Sequence, residues 1–253
     1  MSRNAKSQNW QKFVLGVSGL FLFAFAFAQN KNDLATLAGQ LKNKEESVRR
    51  LAIEKLSQIN APESISLLLL VLDDPAQEVR RDAAFVLGEK RAAQAVDPLL
   101  RLLESTDGSD RNTAILTLGM IGGDKAREAL LKRLKSAPAE ERDGVAIAFG
   151  SMRDPQTVEP LIQLLRDENS TVRASAANSL GRLGDKRAVE PLLRVLSDSS
   201  DSVRGGAVLS LAELKDKSVI EALEKLYAQE KSTSVRQQFE YALQVLRALP
   251  TQK

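Results

Sequence analysis

Seven arginines recur along the sequence at one spacing. Arg49, Arg80, Arg111, Arg142, Arg173 and Arg204 stand 31 residues apart, and Arg236 follows after one inserted residue. A guanidinium group offers a rigid, planar fork of N–H donors that fits carboxylate or phosphate. A row of seven could therefore grip an extended anion, or it could donate the same bonds to the protein's own acids and stitch successive segments together. The second use, a structural ladder, is the favoured reading.

Other chemistry is narrowly bounded. The sequence has no cysteine and no histidine. That removes disulfides, thiol nucleophiles, histidine acid–base catalysis and every zinc site built on sulfur or imidazole, leaving only oxygen ligands for a metal. No constellation of residues asks for catalysis; no metal, no cofactor and no small-molecule substrate is expected. The 253 residues, 43% hydrophobic and 27% charged, can bury a large core in one or two domains. The net charge of +3 is local in origin, because Arg3, Lys6 and Lys12 fall in the first 28 residues, which hold no Asp or Glu. Beyond them 33 basic residues face 33 acidic ones. A neutral chain lacks the broad positive field of nonspecific nucleic-acid or anionic-membrane binding.

The elements that position the arginines are helices. Three residues after each arginine come Ala52, Ala83, Ala114, Val145, Ala176, Ala207 and Phe239, and seven after come Leu56, Leu87, Leu118, Phe149, Leu180, Leu211 and Leu243. With the preceding Val48, Val79, Val172, Val203 and Val235, replaced by Asp110 and Glu141 in two rows, these columns define one helical face. Gly88, Gly119, Gly150 and Gly181 follow it and read as helix ends, where glycine accepts left-handed dihedrals. An earlier helix in each row carries Leu37, Leu68, Leu99, Leu130, Leu161, Leu192 and Leu223, with Pro98, Pro160 and Pro191 in its first turn. Each row is thus helix, turn, helix. A lone pair cannot bury its apolar stripes, so stacking must supply the core: an all-α solenoid, an α-α superhelix of about seven 31-residue repeats. Polar end helices, marked by Asp33, Thr36 and Gln40 and by Gln237, Gln238 and Gln244, suit caps.

The first 28 residues read as an address. Phe13 to Ala28 carry no charge, follow a basic stretch and end in Ala26-Phe27-Ala28, the three-part pattern of a signal peptide. Cleavage would start the mature chain at Gln29; an uncleaved segment would tether it to a membrane. The expected organisation is a signal peptide or anchor over residues 1–28, a solenoid over 29–250 and a polar tail over 251–253, exported to the periplasm or beyond the cell.

Rows such as DKRAVEPLLRVLSDSSDSVRGGAVLSLAEL and DPQTVEPLIQLLRDENSTVRASAANSLGRL resemble the HEAT-like repeats first named from phycobilisome bilin lyases, and the resemblance spans residues 31–249. It implies that an Asp six residues before the repeat arginine bonds across to the next repeat. Asp74, Asp167 and Asp198 hold that place before Arg80, Arg173 and Arg204; Asn43, Ser105, Ser136 and Glu230 replace it elsewhere. The ladder then comprises those three acids and the seven arginines, with Asp110 and Glu141 as local acids where the pattern breaks. The same repeats occur in enzymes and in pure scaffolds, so they imply a fold and leave activity open.

Five residues after each arginine lies a column aimed away from the core, toward the expected concave surface: Glu54, Phe85, Leu116, Ile147, Asn178, Leu209 and Tyr241. Arg50 and Arg81 share that face. Aligned, exposed apolar side chains mark binding sites, unless they pack against one another between neighbouring helices. The expected function is a non-catalytic scaffold that binds a protein or peptide along this stripe. The alternatives are a bilin lyase-like enzyme or chromophore chaperone, which the resemblance implies, and a regulatory subunit of an envelope complex. Two HEAT-repeat enzymes fit poorly: deoxyhypusine hydroxylase binds iron through histidine, and a DNA glycosylase needs a basic, aromatic cleft.

Overall fold

A computed structural model describes residues 33–250. The segments read as a leader and as a polar tail lie outside the described residues. Among the described residues fourteen α-helices are formed: α1 (33–40), α2 (Glu46–Ser57), α3 (Pro62–Leu70), α4 (Gln77–Glu89), α5 (Val96–Leu102), α6 (Gly108–Ile121), α7 (Asp124–Leu134), α8 (Ala139–Met152), α9 (Val158–Leu164), α10 (Ser170–Leu183), α11 (Val189–Val195), α12 (Asp201–Glu213), α13 (Ile220–Tyr227) and α14 (Thr233–Ala248). No strand occurs among the described residues. The chain divides after Ala83 into two compact units.

Local chemistry sets the ends of the helices. Asn169 accepts the N–H groups of Thr171 and Val172 and so caps α10, while Asp107 accepts that of Ser109 at the start of α6. Short 3-10 turns lead into the first helices, and Asp154, Asp185 and Asp216 start three of them by accepting N–H groups two residues on. Pro98, Pro160 and Pro191 fall third in α5, α9 and α11, where the missing N–H costs no helical bond.

In the second unit, α6, α8, α10, α12 and α14 pack side by side, each touching the next, while α5, α9, α11 and α13 pack on their own repeat partners α6, α10, α12 and α14. This is an α-solenoid. The core lies between the two layers. The seven leucines from Leu37 to Leu223 are buried, as are Ala52 through Phe239 and Leu56 through Leu243, the two apolar columns of the second helices.

The glycine column differs from expectation. Gly88, Gly119, Gly150 and Gly181 lie inside α4, α6, α8 and α10 and have no positive φ. A Cβ on Gly119 would fall 2.5 Å from the Ala148 backbone, and one on Gly150 or Gly181 within 2.7 Å of a serine Cβ on the next second helix. Close helix approach requires glycine at 119, 150 and 181, whereas a Cβ on Gly88 would meet only the flexible Met120 side chain at 3.0 Å. Positive-φ residues end the helices at Arg91, Gly122, Arg153, Gly184 and Lys215, left-handed at Arg153 and Gly184 and more extended at Gly122, where ψ is −162°.

Candidate functional site

The arginine column sits at the N-terminal ends of the second helices. In the first unit, Arg49 donates from Nε and Nη2 to Asp74 at 2.7 and 2.8 Å, and from Nη1 to the carbonyls of Asn43 and Lys44. The second unit repeats this bidentate geometry. Arg142 grips Asp167 at 2.7 and 2.8 Å, Arg173 grips Asp198 at 2.8 and 2.8 Å, and Arg204 grips Glu230 at 2.7 and 3.0 Å. Arg80 turns Nη1 onto the Asp74 and Pro75 carbonyls, as Arg173 and Arg204 do onto those five and six residues before themselves. Arg49, Arg142, Arg173 and Arg204 thus each tie their own inter-helix loop to an acid of the following repeat. The acid bonds back to the preceding repeat's arginine, the reverse of the direction expected. It does so because it closes its own first helix, holding the N–H two residues on: Asp74 takes that of Ala76, Asp167 that of Asn169, and Asp198 that of Ser200.

The two irregular rows are rewired. Glu141 occupies a core position, yet it accepts Arg111 Nε at 2.8 Å and Arg133 Nε at 2.6 Å, replacing the acid that Ser136 cannot supply. It serves the preceding repeat, while its neighbour Arg142 keeps Asp167. Asp110 is buried as well and accepts the Ser105 hydroxyl at 3.3 Å. The last arginine, Arg236, lies 4.4 Å above the Tyr227 ring and donates to the Glu230 carbonyl.

The carboxyls respond. Arg204 is the chief cause of lowering Glu230 to about 2. Arg142 holds Asp167 below its ordinary value against the opposing pull of burial. For Glu141 and Asp198 burial is the largest influence and pushes upward, but Arg133 with Arg111, and Arg173, outweigh it, leaving both lowered. The arginines of this ladder are occupied by internal acids and backbone carbonyls.

The second-helix stripe presents a mixed surface. In the first unit Arg50 and Glu54 are exposed on α2; Arg50 donates to Asp82 at 2.7 Å, and Arg81 pairs with Glu78. In the second unit Phe85 is 54% and Tyr241 58% exposed, on α4 and α14. Leu116, Ile147 and Leu209 are half-buried on α6, α8 and α12, and Asn178 is exposed on α10. The sequence reading missed two other exposed apolar residues of the first unit, Leu51 on α2 and Leu70 on α3. Leu70 ends a run of four leucines in which only Leu68 is buried, and a helical-wheel count of that run is the signal that would have found it. Among the described residues no acidic cluster is arranged to hold a metal ion.

Comparison with known proteins places this architecture. The sequence pattern of HEAT repeats matches residues 65–150, 128–204 and 158–244. No curated protein matches the chain. Among solved structures, the complex of CpcE and CpcF of phycocyanin lyase from Nostoc sp. PCC7120 is similar with a TM-score of 0.53 at 22% identity, covering 84% of this chain and 94% of that one. YibA of Escherichia coli is similar with a TM-score of 0.54 at 17% identity, over 87% of this chain and 82% of that one. The Kap95:Nup1 complex gives 0.63 at 15% identity over 87% of this chain, which spans 36% of that one. At these identities the likeness is one of fold.

Proposed function

Because the chain belongs to the HEAT-repeat family, we propose that it is an exported, non-catalytic scaffold that binds a protein or peptide partner along the second-helix stripe. The observation that carries this reading is the pair Phe85 and Tyr241, two aromatic side chains more than half exposed on the face predicted to bind, with Leu116, Ile147 and Leu209 half-buried on the helices between them. Large exposed aromatic residues bordered by apolar ones are the composition of interface hot spots. Tyrosine adds a polar tip that suits an exposed, partner-facing position. Two of the similar structures, CpcE with CpcF and Kap95 with Nup1, are complexes between proteins, in keeping with a partner of that class.

Export rests on the uncharged stretch from Phe13 to Ala28 and its Ala26-Phe27-Ala28 end. The absence of histidine and cysteine supports a binding role by removing the commonest acid–base and nucleophilic groups. Cross-linking in the native envelope followed by mass spectrometry identifies the partner, and intact mass shows whether the chain begins at Gln29. A Phe85→Ala, Ile147→Ala double variant is then expected to bind that partner at least tenfold more weakly. Unchanged binding overturns the assignment. A visible absorption band in the purified protein would favour a bilin-handling role instead.

A further inference from the structure

At the opposite ends of the second helices, across α4, α6, α8, α10 and α12, the second unit carries an open groove of about 720 Å³. It is bordered by three exposed arginines, Arg91, Arg153 and Arg182, with Ser151 on α8 and Glu89 and Glu213 at its two ends. Gly150 and Gly181 form part of its floor because close helix packing excludes a side chain there. Unlike the ladder arginines, these three have no carboxylate partner within the described residues.

Backbone conformation singles out two of them. Arg91 and Arg153 have φ of 48° and 52°, and with Lys215 at 53° they alternate at a spacing of 31 with Gly122 and Gly184, which share the positive φ. Glycine fits this position without strain, whereas a side chain there costs of order 1 kcal/mol. In every second row the chain nonetheless places a long cation where glycine is the easier choice. A basic residue at a helix C-terminus gains from the helix dipole, but that gain is equally available in the glycine rows. Of the three cations at this position, Arg91 and Arg153 line the groove, while Lys215 lies outside it.

We propose that this groove binds an extended peptide segment with an acidic centre, its carboxylates received by Arg153, Arg182 and Arg91 and its uncharged or basic ends lying beside Glu89 and Glu213. Three features point to a peptide. The groove runs along five successive helices and is open along its length, which suits an extended chain over a compact solute. Planar guanidinium forks match carboxylates in bidentate geometry. The glutamates at the two ends repel a uniformly anionic polymer while accommodating a chain whose charge is confined to its middle. This site is independent of the second-helix stripe, and neither proposal rests on the other.

The test uses the purified protein and a fluorescein-labelled peptide of four glutamates flanked by two glycines on each side, followed by fluorescence anisotropy at low salt. Saturable binding that weakens as salt rises is expected. Arg91→Gly with Arg153→Gly, together with Arg182→Ala, should weaken it about tenfold, the effect of losing three partly exposed ion pairs. Urea unfolding of the same variant should stay close to that of the parent, because glycine already occupies the position in alternate rows. A control pair on first helices, Arg101→Ala with Arg194→Ala, should leave binding unchanged. The proposal is overturned if the peptide does not bind saturably, if the groove variant binds as well as the parent, if the control pair weakens binding equally, or if tripolyphosphate displaces the peptide at equal concentration. It is also overturned if the groove variant loses stability without losing affinity, which would make these arginines helix caps alone.

Discussion

The two ends of the second helices use arginine in opposite ways. At the N-terminal ends Arg49, Arg111, Arg142, Arg173 and Arg204 are held by an acid of the next repeat and by carbonyls of their own loops, as Arg173 is by Asp198, Asp167 and Glu168. At the C-terminal ends Arg91, Arg153 and Arg182 border a groove with no carboxylate partner. The residue type is the same, and both sets belong to the same second helices. What decides between a stitch and a receptor is whether the fold brings an acid alongside.

The largest test of that contrast is Glu141→Ala. Removing this buried carboxylate leaves Arg111 and Arg133 facing each other without their shared acid and should cost about 3 kcal/mol in urea denaturation. A loss under about 1 kcal/mol would mean that the ladder adds little to folding. Next comes Gly119→Ala, expected to cost about 2 kcal/mol because its Cβ meets the Ala148 backbone at 2.5 Å. An unchanged melting temperature would show that the helices can separate to admit it. Asp198→Asn, which keeps shape while removing charge from the Arg173 fork, should cost about 1–2 kcal/mol.

Acid should weaken the N-terminal ends selectively. Glu230 and Asp167 ionise more readily folded than unfolded, so the stability they contribute is fully present above their unfolded values. It is lost as pH falls through the folded ones. Melting temperatures should therefore decline from about pH 4.5 downward toward the folded value of Glu230, about 2. A profile flat to pH 2.5 would contradict the ladder. The smallest expected effect is Arg153→Gly, within about 0.5 kcal/mol of the parent, since relief of the left-handed backbone offsets glycine's greater freedom when unfolded.

Much of the fold is legible in the sequence alone. The 31-residue period exposes the leucine and alanine columns, and burial follows them from Leu37 to Leu243. Periodicity reports which face is buried, and burial is what a solenoid repeats most faithfully. It does not report how near the neighbouring helix comes, so Gly119, Gly150 and Gly181 read as helix ends when they serve close packing. Nor does it carry direction: the pairing of Asp74 with Arg49, and of Glu141 with Arg111 in place of its neighbour Arg142, depends on how one repeat is set against another. On the stripe, spacing alone does not separate exposed Phe85 and Tyr241 from half-buried Ile147. The groove is invisible at that level because Arg91 and Arg153 look like ordinary surface residues until their backbone angles are known.

The alternation of cation and glycine at positive φ, from Arg91 to Lys215, gives the stack a second rhythm at twice the repeat length. Any change in the number of repeats must respect it to keep cation and glycine alternating. The unit for recombination is then two rows. Deleting a pair, such as residues 123–184, preserves the rhythm, while deleting one row sets two cations or two glycines side by side.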